Sequence, residues 1–151
     1  MPHHNGRDDV GFWSLIDRLG PDLNPARLTM ALSTLAWDQV FSFRTTMTVM
    51  ASALDSRSHQ QHGLAAYEHA QDRPDADEAV AAPLVLAEFA ELTMTVVALG
   101  HDAWSAIVAV PGLLAGSWPT GLGRQLVRVT DAALASALRA ELAPVPVLVR
   151  R

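Results

Sequence analysis

Apolar residues recur every three or four positions along almost the whole chain. This spacing places them on one face of an α-helix, whereas a half-buried strand would need strict alternation. No window between turn signals shows sustained alternation, so strands are not expected. The sequence therefore predicts an all-α fold, a compact single-domain bundle of six to seven helices over residues 9–142. Residues 1–8 are expected to form a flexible N-terminal tail, and residues 143–151 a C-terminal tail.

Cap and turn residues divide this pattern into individual helices. The first is expected to begin near Asp8 or Asp9 and to stop at Gly20-Pro21, and Asn24 is expected to cap the second, with Pro25 at its first position. The later helices are predicted from Ser33 or Thr34 to Ser56, Ser58 to Gln71, about Pro83 to Leu99, Ala103 to Val110 with Asp102 as N-cap, and about Leu122 to Leu142. The third has the clearest apolar stripe: Val40, Phe43, Met47, Met50 and Leu54.

Composition excludes several classes of chemistry. Half of the 151 residues are hydrophobic and 18% are charged, which is typical of a globular chain with a real core. The absence of cysteine excludes disulfides, thiolate metal sites and cysteine nucleophiles. All eleven basic residues are arginine, which excludes a lysine Schiff base and a phosphate-loop lysine. The net charge of −5 argues against nucleic acid as the main partner.

The chain carries no sequence signal for export or for membrane insertion. Its N-terminus lacks the apolar segment of a signal peptide. The most apolar window, Leu92 to Trp118, is interrupted by His101-Asp102 and by Pro111-Gly112. A membrane helix needs about 20 uninterrupted apolar residues. We therefore expect no membrane span and a cytoplasmic location.

Several short segments match the pattern of one bacterial family. They are Phe12-Trp13-Ser14-Leu15-Ile16-Asp17, Leu32-Ser33-Thr34 with Val40-Phe41, Gly63-Leu64-Ala65-Ala66-Tyr67, and Leu99-Gly100-His101-Asp102-Ala103-Trp104 followed by Pro111-Gly112-Leu113-Leu114-Ala115. Over residues 9–116 the chain resembles the bacterial domain of unknown function 4240 family, which implies an α-helical fold and brings no established activity. That family has a glycine-rich loop with two aspartates where this chain has residues 82–88. If these two aspartates have a function in the family, this chain has either lost them or replaced them with Glu88.

Two groups of side chains could carry metal or acid–base chemistry. His59, His62 and His69 fall near one face of a helix and could bind zinc, but Gly63 interrupts them and their polar neighbours favour an ordinary solvated helix. Glu88 and Glu91 could form an acid–base pair, although the wet face of a helix explains them more simply. We therefore favour no metal site and expect no cofactor.

Two further charged groups have competing explanations. Arg44 follows two phenylalanines on the third helix, so it could pair with Asp17 or Glu88, grip an anionic ligand, or cover apolar surface with its stem. Arg124, Arg128 and Asp131 share a stripe of the last helix, which is more often a solvated face than a binding site.

The leading functional hypothesis is a non-catalytic helical interaction or accessory protein that self-associates. The last helix is the best candidate interface, because its apolar residues spread over more than one face; they are Leu126, Val127, Leu134, Leu138 and Leu142. The alternative is a small cofactor-independent enzyme or small-molecule binder with a pocket between helices. The candidate pocket residues are Trp37, Phe41, Arg44, Tyr67, Glu88, His101, Trp104 and Trp118.

Overall fold

The described part of the chain forms seven α-helices. The computed structural model describes residues 6–70, 78–116 and 118–143, and the side chains within 11–63, 88–116 and 118–143. The helices are α1 (Gly6–Ile16), α2 (Pro25–Ser33), α3 (Trp37–Ser52), α4 (Arg57–Ala70), α5 (Glu78–Ala98), α6 (His101–Ala109) and α7 (Leu122–Leu142), with short 3-10 helices at Asp17–Leu19 and Pro111–Ala115. The described residues contain no strand. The predicted all-α, single-domain bundle is confirmed.

The start of α2 follows from two adjacent residues. The Asn24 side chain accepts a hydrogen bond from the Ala26 N–H at 3.0 Å, and Pro25 occupies the first helical position. Asparagine satisfies a free N–H of the first turn, and proline has no N–H to leave unpaired. This helix start is as predicted.

The start of α3 was predicted wrongly. Ser33 and Thr34 do not cap it, because their hydroxyls donate back to carbonyls in the last turn of α2. α3 begins instead at Trp37, where the Gln39 side chain accepts a hydrogen bond from the Ala36 N–H at 3.0 Å. Serine and threonine bond to the preceding turn as readily as to the following one, so their position alone does not decide the boundary.

Other helix ends also differ from prediction. α1 begins at Gly6, inside the segment predicted as a tail, α3 ends at Ser52 rather than Ser56, and α5 begins at Glu78 rather than near Pro83. Asp102 does not cap α6. Gly100 holds that position with φ +108°, a backbone conformation that residues with a Cβ rarely adopt. The predicted bounds of α7 are confirmed.

The buried apolar side chains that the structure describes form two clusters. The larger joins α1, α2, α3, the end of α5 and the first half of α7, and its centre includes Phe12, Ile16, Leu28, Met47 and Leu126. The smaller contains Leu54, Val96, Ile107 and Leu114 and lies between α5, α6 and the second 3-10 helix. Every residue of the predicted α3 stripe is buried. The helical spacing therefore identified the core face of α3 correctly.

α7 is the helix around which the bundle is organised, since it packs against α2, α3 and α5. It approaches α5 so closely at Gly123 that an added Cβ would collide with the backbone oxygen of Glu91. Only glycine allows the two backbones to approach so closely. None of the described helices combines the length and the apolar character needed to cross a bilayer.

Candidate functional site

The predicted pocket residues lie in separate parts of the molecule. Trp37 and Phe41 stack on each other along α3, with ring centroids 5.3 Å apart and planes at 20°. His101 and Trp104 lie on α6 beside Trp13 of α1. Trp118 packs against the smaller core cluster, Arg44 and Glu88 lie on α3 and α5, and the side chain of Tyr67 is outside the described residues. Among the described members, the structure brings together Trp37 with Phe41, and His101 with Trp104.

Two of the tryptophans serve mainly in packing. The Trp104 indole N–H donates to the Met50 carbonyl at 2.8 Å, and its ring lies 5.4 Å from that of Trp13. The Trp118 indole N–H donates to the Leu114 carbonyl at 3.0 Å. A buried indole is stable when its single donor finds such a partner. Neither tryptophan presents a free polar group to a ligand.

The ion-pair partner of Arg44 is Asp131. Its Nε donates to Asp131 Oδ1 at 2.8 Å, and its Nη1 donates to the Thr48 hydroxyl at 2.8 Å. The predicted partners, Asp17 and Glu88, are therefore wrong. The spacing of charges along one helix carries no information on which other helix will lie beside it.

Glu91 holds the start of α7. Its Oε1 accepts hydrogen bonds from the backbone N–H of Gly123 at 2.9 Å and of Arg124 at 3.3 Å. The fully buried Thr95 hydroxyl lies 3.3 Å from the same carboxylate and 3.0 Å from the Gly123 nitrogen. The carboxylate thus supplies the cap that α7 lacks from its own residues, at the end where the helix dipole favours a negative charge.

The expectation that both glutamates form a wet helix face is therefore wrong for Glu91. Glu88, in contrast, makes an ion pair with Arg124 at 3.2 Å on the surface. The sequence did contain a signal for this contact: Glu91 is followed one turn later by Thr95 on an otherwise apolar helix. Polar side chains in such a position are buried only when they form hydrogen bonds.

His59 is a buried structural residue. Its Nε2 lies 2.9 Å from the Ile107 carbonyl oxygen, and its Nδ1 forms a hydrogen bond with the Ser56 hydroxyl. Because a carbonyl can only accept, Nε2 carries the hydrogen in this contact. The sequence predicted a solvated face, which is wrong for His59, since only 4% of the residue is exposed. Both ring nitrogens already have protein partners, so neither is available to a metal.

The other two histidines of the candidate metal group, His62 and His69, give no further support to a metal site. His62 is partly buried and lies next to Gly112. The side chain of His69 is outside the described residues. Among the residues that the structure describes, no three histidine or acidic side chains are close enough to hold a metal ion.

An apolar surface runs along the outer side of α3 and α7. We call it the α3/α7 face and define it by Trp37, Phe41, Leu134, Leu138 and Leu142, with the Arg44–Asp131 ion pair among them. Phe41 is 49% exposed, Leu138 39% and Leu142 71%. Large apolar side chains exposed together on one surface are typical of an interaction site.

A groove is the second feature that could bind a partner molecule. It lies between the end of α3, the middle of α5 and the start of α7, and we call it the α3/α5/α7 groove. Its volume is about 780 Å³. Its lining includes Ala51, Asp55, Phe89, Met94, Gly123, Arg124, Val127 and Arg128. None of the seven predicted pocket residues whose side chains the structure describes lines it, because its residues come from three helices whose juxtaposition the sequence does not encode locally.

Comparisons with known proteins found no relatives. No family model matches the chain, and neither the curated proteins nor the solved structures include a significant match. The resemblance to the domain of unknown function 4240 family therefore stays a prediction based on the short segments given above.

Proposed function

We propose that this chain is a non-catalytic helical interaction module that self-associates through the α3/α7 face. The observation that carries the proposal is the exposure of Phe41, Leu138 and Leu142 on two helices that the Arg44–Asp131 ion pair joins. Burying such side chains between two copies would remove their apolar surface from water, which is the main favourable term in most protein association.

The α3/α7 face is continuous because the two helices are antiparallel. Arg44 pairs with Asp131, and Met47, one turn further along α3, contacts Thr130. Phe41 lies one turn before Arg44, and Leu134 lies one turn after Asp131. Residues three apart on a helix are surface neighbours. Phe41 and Leu134 are therefore at the same level, and the aromatic pair of α3 adjoins the leucines of α7.

The charges within this face suit a second copy of the same chain. The Arg44–Asp131 ion pair lies among its apolar residues, and the positive and negative charges of this pair cancel. In a twofold symmetric dimer, each surface meets an identical one. Arg44 of one copy could then lie opposite Asp131 of the other, so that association need not bury an unpaired charge.

The test is the oligomeric state of the purified chain, measured by sedimentation equilibrium. We expect a mass above that of the 16.2 kDa monomer. Phe41→Asp and Leu138→Asp each place a charge on the face and should weaken association by about tenfold or more. Leu113→Asp is the matched control, because Leu113 is 48% exposed but lies in the second 3-10 helix, away from the face.

A monomeric wild-type chain at its highest soluble concentration would contradict the proposal. So would an equal loss of association in Leu113→Asp, because it would indicate general apolar stickiness rather than a specific face. Circular dichroism of each variant separates a lost interface from a lost fold.

The second candidate function is a small-molecule binder, which the α3/α5/α7 groove favours. Its volume is within the range of about 300–1,000 Å³ usual for ligand sites. For either function, we propose that the protein acts in the cytoplasm, as the sequence leads us to expect. Fractionation of the cells that produce the protein would test this location.

A further inference from the structure

The floor of the α3/α5/α7 groove is apolar and supported from behind. Ala51, Phe89, Met94 and Val127 contribute to its lining. The Phe89 ring packs against Gly63 of α4 so tightly that a Cβ on this glycine would lie 2.7 Å from it. The ring is thus held in place by another helix, and the floor exists before any ligand arrives. A preformed apolar surface lowers the ordering cost of binding.

Most polar groups around this floor are already bonded within the protein. The Thr48 hydroxyl bonds to Arg44, Ser52 donates to the Thr48 carbonyl at 2.8 Å, and Thr93 donates to the Ala90 carbonyl at 2.9 Å. Glu91 accepts the hydrogen bonds from α7, and Arg124 pairs with Glu88. These groups would therefore gain little from a ligand.

Arg128 differs from Arg124, the other arginine of the groove, in having no ion-pair partner among the described residues. It lines the groove, it is exposed, and it makes no ion pair or side-chain hydrogen bond with the described residues. A guanidinium presents paired N–H donors that match the two oxygens of a carboxylate. Asp55 also lines the groove, and its negative charge disfavours a second anionic group on the ligand.

We propose that the α3/α5/α7 groove binds a small monocarboxylate with an apolar chain. Arg128 holds the carboxylate, and the chain lies on Ala51, Phe89, Met94 and Val127. This inference rests on the small-molecule function rather than on self-association. It names a ligand class by chemistry: one anionic head and one apolar body.

The experiment is calorimetric titration of the full chain with decanoate, below the concentration at which decanoate forms micelles. We expect one molecule bound per chain, with 1-decanol and the dicarboxylate sebacate binding more weakly by about tenfold or more, because each lacks the favourable charge pattern. Arg128→Met should weaken decanoate binding by a similar factor, whereas Arg139→Met, a control on an exposed position of the same helix, should not.

Several results would overturn the proposal. They are no saturable binding of decanoate, equal binding of decanoate and 1-decanol, or unchanged binding to Arg128→Met. Phe41→Asp separates the two functions: it should dissociate the oligomer and still bind decanoate. Val127→Asp places a carboxylate on the floor and should abolish binding, provided that its thermal unfolding remains cooperative; retained binding in that folded variant would also contradict the proposal.

Discussion

Arg44 and Asp131 join α3 to α7 across 87 positions of sequence, with Nε and Oδ1 2.8 Å apart. The side chains are 29% and 55% exposed, so water screens their attraction. Partly exposed pairs contribute at most about 1 kcal/mol to stability. We expect Arg44→Met and Asp131→Asn each to lower the free energy of unfolding by about 0.5–1 kcal/mol in urea titrations. A double-mutant coupling above about 2 kcal/mol would contradict this view of the pair as weak.

Gly123 should tolerate no larger residue. Gly123→Ala places a Cβ against the Glu91 backbone oxygen, so α5 and α7 must separate. We expect a loss of about 2 kcal/mol or more in the free energy of unfolding, as for other overpacked sites. Gly11→Ala in α1 is the matched control, because no described atom outside its own helix lies within 4 Å of its new Cβ. This control should be stabilising by about 0.5–1 kcal/mol, since alanine favours helix more than glycine. Equal effects at both positions would exclude the close approach as the cause.

Glu91 and Glu88 should differ in their contribution to stability. Glu91→Ala removes the acceptor of two backbone N–H groups and should cost about 1–3 kcal/mol. Glu88→Ala removes a surface ion pair with Arg124 and should cost less than about 1 kcal/mol. Thermal unfolding of both variants measures the difference. Comparable losses would mean that Glu91 does not act as the cap of α7.

His59 should matter for the contact between α4 and α6. His59→Phe keeps an aromatic ring but leaves the Ile107 carbonyl without its donor, at a cost of about 1–3 kcal/mol. His62→Phe is the control, because His62 is only partly buried. Hydrogen exchange should detect faster opening of α4 in the first variant alone. Zinc should not raise the unfolding temperature of the wild type, and a stoichiometric shift would contradict a purely structural His59.

Asp22 should titrate below the ordinary range of an aspartate. Hydrogen bonds donated by Arg27 lower the pKa of Asp22 from its usual 3.8. A carboxylate whose pKa is lower in the folded state than in the unfolded state stabilises the fold at any pH above its unfolded-state pKa. This stabilisation is lost as the pH falls through the lowered pKa. Carbon-detected NMR titration should find the pKa of Asp22 below 3.8 in the wild type and closer to it in Arg27→Met. An unchanged pKa in the variant would show that Arg27 is not the cause.

The sequence by itself determined the all-helical architecture and the apolar core face of α3. Apolar spacing identified the buried stripe of Val40, Phe43, Met47, Met50 and Leu54, and Asn24-Pro25 marked the start of α2. These features are local, since periodicity and capping act within a few residues. Boundaries were less well predicted where one residue type can bond in two directions, as at Ser33 and Thr34.

Only the tertiary structure decided which helices meet, and therefore which residues share a site. It paired Arg44 with Asp131, seated Glu91 at the start of α7, and buried His59 against Ile107. It also formed the α3/α5/α7 groove from three helices that are distant in sequence. Each of these contacts depends on the relative placement of whole helices, which is set by the shape of the packed core rather than by any short segment of the chain.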